Sequence, residues 1–311
     1  MKKVLVTGGA GFIGSHVTEE LLKAGYKVAV VDHLGSGKRS NLPDDVLFYK
    51  RDVVSPALKT VFEDFQPHVV IHLAAQSNVS DSVRNPRHDA QNNIMGTLQV
   101  LENCRDCRVE RMIYSSSAAV YGQVQQLPIT EDTPPAPLSP YGISKWTGEQ
   151  YVKLYGDLYG ISSLILRFAN VYGPRQNMDT EAGVISVFTE DLLKGKCPII
   201  YGDGHQTRDF IYVRDVARAI LKSVNSEQTG LYHVSSGKEV SIKDVLDLLG
   251  LLTERHVFPI YQPEKPGDIY KSCLSNARIK EDFDWFPSTS LEKGLAETIA
   301  YFRQSHVPIQ G

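Results

Sequence analysis

Ser117 and the run Tyr141-Gly-Ile-Ser-Lys145 carry the residue types needed for redox chemistry at an alcohol. In a helix over residues 141–159, Tyr141 and Lys145 stand at i and i+4 on one face. An ammonium beside a phenol favours the phenolate, so a group with an ordinary pKa of about 10 becomes a base near neutral pH. Ser117, at the end of a strand, supplies a hydroxyl to relay or orient the substrate proton. A Tyr-x-x-x-Lys pair alone recurs by chance, so its meaning depends on what the rest of the chain places beside it.

A hydride acceptor is the first requirement. Thr7-Gly8-Gly9-Ala10-Gly11-Phe12-Ile13-Gly14 follows a strand and opens a helix. Glycines at 8, 11 and 14 allow a tight turn and let backbone amides reach a pyrophosphate at the helix N-terminus. The spacing is G-x-x-G-x-x-G, and its position after a first strand is the context such a motif requires. Asp32 ends the second strand, where a carboxylate holds both ribose hydroxyls and repels a 2′-phosphate. That favours NAD over NADP. Lys38 and Arg39 leave NADP open, with a solvated basic turn as the other reading. Asp52, after the third strand, is either an adenine contact or a loop acid.

The elements that must position these groups alternate. Strands are expected at 4–7, 28–32, 46–50, 69–74, 111–116, 164–167, 210–213 and 231–234. Helices are expected at 15–24, 58–65, 92–104 and 141–159. The apolar runs do not alternate with polar residues, which suits a parallel sheet covered on both faces. The expected fold class is α/β, a doubly wound parallel-sheet Rossmann domain with a smaller mixed α/β C-terminal substrate domain. The first domain takes residues 1–168 plus about 209–236; the second takes 169–208 and 237–311. The proline-rich stretch 128–140 wraps the site rather than linking domains, and Ser139-Pro140 starts the helix that carries Tyr141.

With 311 residues, 42% hydrophobic and 22% charged, the chain has the composition of an ordinary globular protein. Its net charge of −3 gives no electrostatic case for nucleic acid or an anionic membrane. No apolar run approaches the ~20 residues that span a bilayer, and the N-terminal apolar run reads as a buried strand rather than a leader. Four cysteines argue for a reducing, cytoplasmic setting. Cys104-x-x-Cys107 lacks the second pair a zinc site needs, so no metal is expected.

The chain resembles the extended short-chain dehydrogenase/reductase family, and within it the UDP-glucose 4-epimerase branch. The markers are T-G-G-A-G-F-I-G from Thr7, H-L-A-A from His72, N-N-I-M-G-T from Asn92, S-S-S-A-A-V-Y-G from Ser115, S-P-Y-G-I-S-K from Ser139 and R-F-A-N-V-Y-G-P-R from Arg167. The resemblance implies Ser117, Tyr141 and Lys145 as the catalytic trio. It implies an NAD site formed by Gly8, Gly11, Phe12, Ile13, Asp32, His33, Leu34, Gly35, Ser36, Gly37, Asp52, Val53, Leu73, Ala74, Ala75 and Asn92, with Tyr141 and Lys145. For the UDP-sugar it implies Asn170, Val184, Ile199, Tyr201, Arg208 at the diphosphate, Phe210, Lys265, Asp268 at the ribose and Ser272, besides Ser117 and Tyr141. It also implies a homodimer joined through helices 92–104 and 144–159. Two residues depart from the family pattern. Lys265 stands where arginine is usual, losing the fork that grips phosphate, and Ala119 replaces a common threonine.

Related dehydratases and decarboxylases carry acids directly after the hydroxyl residue, whereas this chain has Ala118 and Ala119. Oxidation at C4 can then only be reversed, which implies epimerisation of UDP-glucose and UDP-galactose through a 4-keto sugar. Ser272, small where the family has a bulky residue, implies room for UDP-GlcNAc and UDP-GalNAc. A UDP-glucuronate 4-epimerase and a non-catalytic NAD-binding sensor remain as alternatives.

Overall fold

The computed structural model describes residues 1–178, 183–264 and 269–305. Its centre is a seven-stranded, all-parallel sheet of β1 (Lys3–Thr7), β2 (Lys27–Asp32), β3 (Leu47–Lys50), β4 (Val69–His72), β5 (Arg111–Ser117), β6 (Ser162–Phe168) and β11 (Gly230–Val234). The order is β11-β6-β5-β4-β1-β2-β3. The chain reverses direction of sheet growth between β1 and β4, and in open α/β sheets ligands bind at the carboxyl ends of the strands at that switch.

The central strands are apolar on both faces because both faces are covered. Val4 and Val6 enter one core with α1 (Phe12–Lys23) and α8 (Val213–Asn225). Leu5 enters a second core with α2 (Leu58–Phe65), α5 (Gly96–Asp106) and α6 (Pro140–Tyr159). Beyond the sheet, the described residues form three two-stranded pairs. β7 (Asn170–Tyr172) runs beside β10 (Phe210–Tyr212), β8 (Ile199–Tyr201) beside β13 (Ile260–Gln262), and β9 (Thr207–Arg208) against β12 (Val240–Ser241). A third core joins them to α7 (Val184–Leu193), α9 (Ile242–Thr253) and α11 (Leu291–Ser305). The short α3 (Val79–Arg84) and α4 (Pro86–Ala90) lead into α5, and α10 (Ala277–Phe283) packs on β11.

The seven main-sheet strands and helices α1, α2 and α6 fall where the sequence predicts them, with shifted ends, whereas the strand expected at 210–213 lies outside that sheet, as β10 paired with β7. The expected helix at 92–104 differs more. It opens as a π-turn, Gln91–Met95, before α5 begins at Gly96. The wider turn lets Asn93 point inward, where its amide oxygen accepts from Gln76 N at 2.8 Å and its amide nitrogen donates to Gln76 O at 2.9 Å. Such single π-turns concentrate at functional sites. Among the described residues no helix is long and apolar enough to cross a membrane, and no group of three or more His, Cys, Asp or Glu is arranged to hold a metal.

Candidate active site

Across the carboxyl ends of the strands runs a cleft of about 770 Å³. At one end it is lined by Gly8, Gly11, Phe12, Ile13, Asp32, His33 and Ser36, with Asp52 and Val53 beside them. Glycine is obligatory here for steric reasons. A Cβ on Gly8 would lie 2.6 Å from Ala74 N, and one on Gly14 would lie 2.1 Å from Gly8 O. The α1 N-terminus begins at Gly11 with no side chain capping it, so its first amides face the cleft. Asp32 closes the loop, with its carboxylate accepting from Ala10 N at 3.0 Å and Leu34 N at 2.8 Å. The carboxylate lies 3.9 Å from His33 Nδ1 and raises that imidazole's pKa. Leu73, Ala74, Ala75 and Asn92 continue the wall. Leu34, Gly35 and Gly37 do not line the cleft. Gly37 instead packs behind it, where a Cβ would meet the Ala10 carbonyl carbon at 2.8 Å.

The cradle accepts a dinucleotide: backbone walls that leave no room for side chains, an uncapped helix N-terminus for the pyrophosphate, and a buried carboxylate at the ribose position.

Ser117, Tyr141 and Lys145 converge in the middle of the cleft. Ser117 ends β5 and caps a 3₁₀ turn, its Oγ accepting from Ala119 N at 3.2 Å. Tyr141 sits in the first turn of α6, which is started by Ser139 Oγ accepting from Gly142 N at 3.1 Å and by Pro140. The Tyr141 amide donates to Ser82 Oγ at 3.1 Å. Lys145 is buried, donates to Ser115 O at 3.0 Å, and lies over the Tyr114 ring at 5.3 Å. Burial pulls its pKa down to about 8, against the opposing pull of Asp89 and Glu149. An amine at that value holds a proton at neutral pH and yields it slightly above. Beneath, Thr7 Oγ1, His72 Nδ1, His72 Nε2 and Thr97 Oγ1 form a chain with contacts of 2.6 and 3.1 Å, and burial holds the imidazole neutral with a pKa of about 3.

At the far end Asn170, Arg208 and Ser272 line the cleft. They are tied together by Asp209, which sequence reasoning passed over. Its buried carboxylate accepts from Ser236 N and Oγ at 2.9 and 2.7 Å, Gly237 N at 3.1 Å and Leu274 N at 3.2 Å. The Asp209 carbonyl accepts from Asn170 N at 2.9 Å. The signal available was its place in T-R-D-F, next to Arg208. Val184, Ile199, Tyr201 and Phe210 do not line the cleft. Phe210 is buried in the third core, edge-on to Tyr172, because the parallel pairing of β10 with β7 turns its ring inward. Lys265 and Asp268 lie outside the described residues. Val79, Val83 and Leu138 add an apolar wall near Tyr141 that sequence reasoning also missed.

A cradle shaped for a dinucleotide between Asp32 and Lys145, with Tyr141 lining the same cleft, is the arrangement of a nicotinamide-dependent enzyme of the short-chain dehydrogenase/reductase type. Residues 4–235 match the NAD dependent epimerase/dehydratase family, and the chain belongs to it. It is an NAD-dependent enzyme. A putative UDP-glucose 4-epimerase of Methanocaldococcus jannaschii is 41% identical over 97% of this chain and 99% of its own length. The crystal structure of a Thermotoga maritima UDP-glucose 4-epimerase with UDP-glucose superposes with a TM-score of 0.95 at 42% identity, covering 97% of this chain and 99% of that one. A Thermus thermophilus UDP-glucose 4-epimerase in complex with NAD gives 0.93 at 39%, covering 97% and 99%.

Proposed function

We propose that the chain inverts C4 of a neutral UDP-hexose, interconverting UDP-glucose and UDP-galactose and accepting the N-acetylated pair. The observation that carries this reading is the pairing of the Ser117–Tyr141–Lys145 trio with two alanines, Ala118 and Ala119, on the same wall of the cleft. No carboxyl stands there to expel water or direct a decarboxylation, so a sugar oxidised at C4 has only the return path. NAD, when bound, takes the C4 hydride and gives it back. Tyr141 accepts the 4-hydroxyl proton and later returns it, Ser117 orients that hydroxyl, and Lys145 holds the phenolate. Arg208 anchors the diphosphate while the sugar turns. Asn170 and Ser272 flank the nucleotide-sugar, the Gly8–Ile13 loop and Asp32 hold the cofactor, and Lys265 and Asp268 complete the UDP site.

A neutral sugar fits better than a uronate. The cations lining the cleft among the described residues are Lys145, Arg51 beside Asp52 at the cofactor end, and Arg208. Around Tyr141 the wall combines Val79, Val83, Ala118, Ala119, Gly122 and Leu138 with the hydroxyls of Ser77, Ser80 and Ser139. A C5 carboxylate placed there loses water and is offered hydroxyls in place of a dedicated cation. A coupled assay over UDP-glucose, UDP-galactose, UDP-GlcNAc and UDP-glucuronate tests this. Turnover of glucuronate above the neutral sugars sinks the preference, and turnover of UDP-glucose without UDP-GlcNAc sinks the role of Ser272.

In this reading residues 1–168 with about 209–236 hold NAD, and 169–208 with 237–311 hold the nucleotide-sugar. The exposed Ile143, Trp146, Leu154 and Leu158 on α6 support pairing of two chains through α5 and α6; a monomer mass by light scattering refutes it. Four free cysteines support a cytoplasmic location, which fractionation checks.

A further inference from the structure

Asp89, in α4, is buried at 1% exposure, does not line the cleft, and makes its hydrogen bonds to neutral groups. Its Oδ1 accepts from two neutral amides, Asn93 Nδ2 at 3.0 Å and Gln76 Nε2 at 3.3 Å. Asn93 Nδ2 also reaches Ser144 Oγ at 3.0 Å, and Ser144 Oγ donates to Tyr141 O at 3.0 Å. Ser144 is the residue before Lys145, so the acid is wired to the turn of α6 that carries both catalytic side chains. The π-turn is what brings Asn93 into that chain.

The groups facing Lys145 from the packed elements can be weighed. From β5 come the Ser115 carbonyl and the Tyr114 ring, both uncharged. From β4 comes His72, neutral. On α6 itself stand Tyr141 one turn before and Glu149 one turn after. Glu149 is closed by a bidentate pair with Arg167, at 2.7 and 2.6 Å. Its charge is therefore matched. From α4 comes Asp89, with the exposed His88 beside it. A buried ammonium needs a compensating charge, and among the described residues Asp89 is the acid near Lys145 that no salt bridge neutralises.

We propose that Asp89 is a positioning residue for the reaction: the buried counter-charge that keeps Lys145 an ammonium and thereby sets the pH window in which Tyr141 works. The proposal rests on the Tyr141–Lys145 reading of the site. Electrostatic support agrees in sign, since Asp89 is the largest influence raising the Lys145 pKa against burial.

Asp89→Asn retains an oxygen for the Asn93 and Gln76 amides and removes only the charge. Asp89→Glu retains the charge and disturbs the hydrogen bonds. The Lys145 Cε signal of ¹³C-lysine-labelled holoenzyme, assigned by its loss in Lys145→Met, reports the ammonium directly and without any sugar. In D89N its titration midpoint is expected about one pH unit lower than in the parent, while D89E stays near the parent. The pH profile of kcat on the preferred UDP-sugar moves acidward in D89N by a similar amount, with bound NAD retained. A uniform fall in kcat with unmoved midpoints in D89N assigns Asp89 a structural role and overturns the proposal. If D89N does not accumulate, Asp89→Ser, small, polar and uncharged, carries the same expectation. Because the lysine titration needs no turnover, an enzyme inactive on every UDP-sugar would overturn the functional reading and leave this result standing on its own.

Discussion

A Cβ on Gly142 would lie 2.5 Å from the carbonyl oxygen of Ala119. The first turn of α6 is therefore pressed against the 3₁₀ turn that follows Ser117, and this contact fixes the distance between the serine hydroxyl and Tyr141. Gly142 has ordinary helical geometry, so it is the lack of a side chain that matters.

Gly142→Ala is expected to push the two turns apart. Overpacking of this kind costs about 1–3 kcal/mol, and catalysis suffers beyond that because displacements near 1 Å cost about 100-fold in rate. Measured kcat should fall at least about tenfold while NAD, gripped in this reading mainly by the Gly8–Ile13 loop and Asp32, stays bound. A loss of thermal stability with kcat preserved would refute the link.

Lys145 gives activity and stability opposite pH trends. Its pKa falls from 10.5 to about 8 on folding. Below 8 the amine is charged in both states. Between about 8 and 10.5 the unfolded chain binds a proton that the folded chain has lost, so this group's contribution to stability rises with pH. Activity falls over the same range as the ammonium disappears. Urea unfolding at several pH values, comparing the parent with Lys145→Met, isolates the effect. The parent should gain stability relative to the variant from pH 8 to 10, and parallel curves would contradict it.

Three buried imidazoles set the acid limit. Burial lowers the pKa of His72 and His233 to about 3 and that of His16 to about 4, each from 6.5. For a histidine held neutral, the unfolded chain binds more protons, so stability is lost as pH falls from about 6.5 towards 3. His72→Asn is expected to cost about 1 kcal/mol at pH 7 from the Thr7 and Thr97 contacts, and to flatten the acid limb. An acid limb as steep as the parent's would place the titration elsewhere.

The local geometry of the cleft was legible in sequence patterns. Tyr141 and Lys145 are one helical turn apart, Gly8 and Gly14 are demanded by a tight turn, and Asp32 ends a strand beside that turn. Each relation is contained within a few residues. Asp209 and Asp89 were not legible, because the groups that satisfy them come from 236–274 and from a π-turn that no apolar period announces. The ring direction of Phe210 was hidden for a related reason: it follows from pairing with β7, a partner distant in sequence. The apolar wall at Val79 and Val83 was hidden because isolated valines in a short polar helix carry no pattern.

Among the described residues Glu149 and Arg167 form the deepest ion pair, with side chains 0% and 2% exposed. Ser116 Oγ adds a hydrogen bond to Glu149 at 2.5 Å, and the guanidinium lies 4.6 Å from the Tyr121 ring centre. The pair thus ties α6 to β5 and β6 just below Ser117. Removing one partner leaves an uncompensated buried charge, which costs about 3–5 kcal/mol, whereas replacing both with apolar groups is often nearly neutral. Arg167→Met alone is expected to destabilise strongly, and Glu149→Leu with Arg167→Met to recover most of that loss. Chemical denaturation of the two variants reads the difference. Recovered stability with depressed kcat would assign the pair to aligning α6 with Ser117, because Ser116 loses its anchor in the double variant. A double variant no more stable than the single one would instead mean that Arg167 acts through its stacking on Tyr121 and not through its charge.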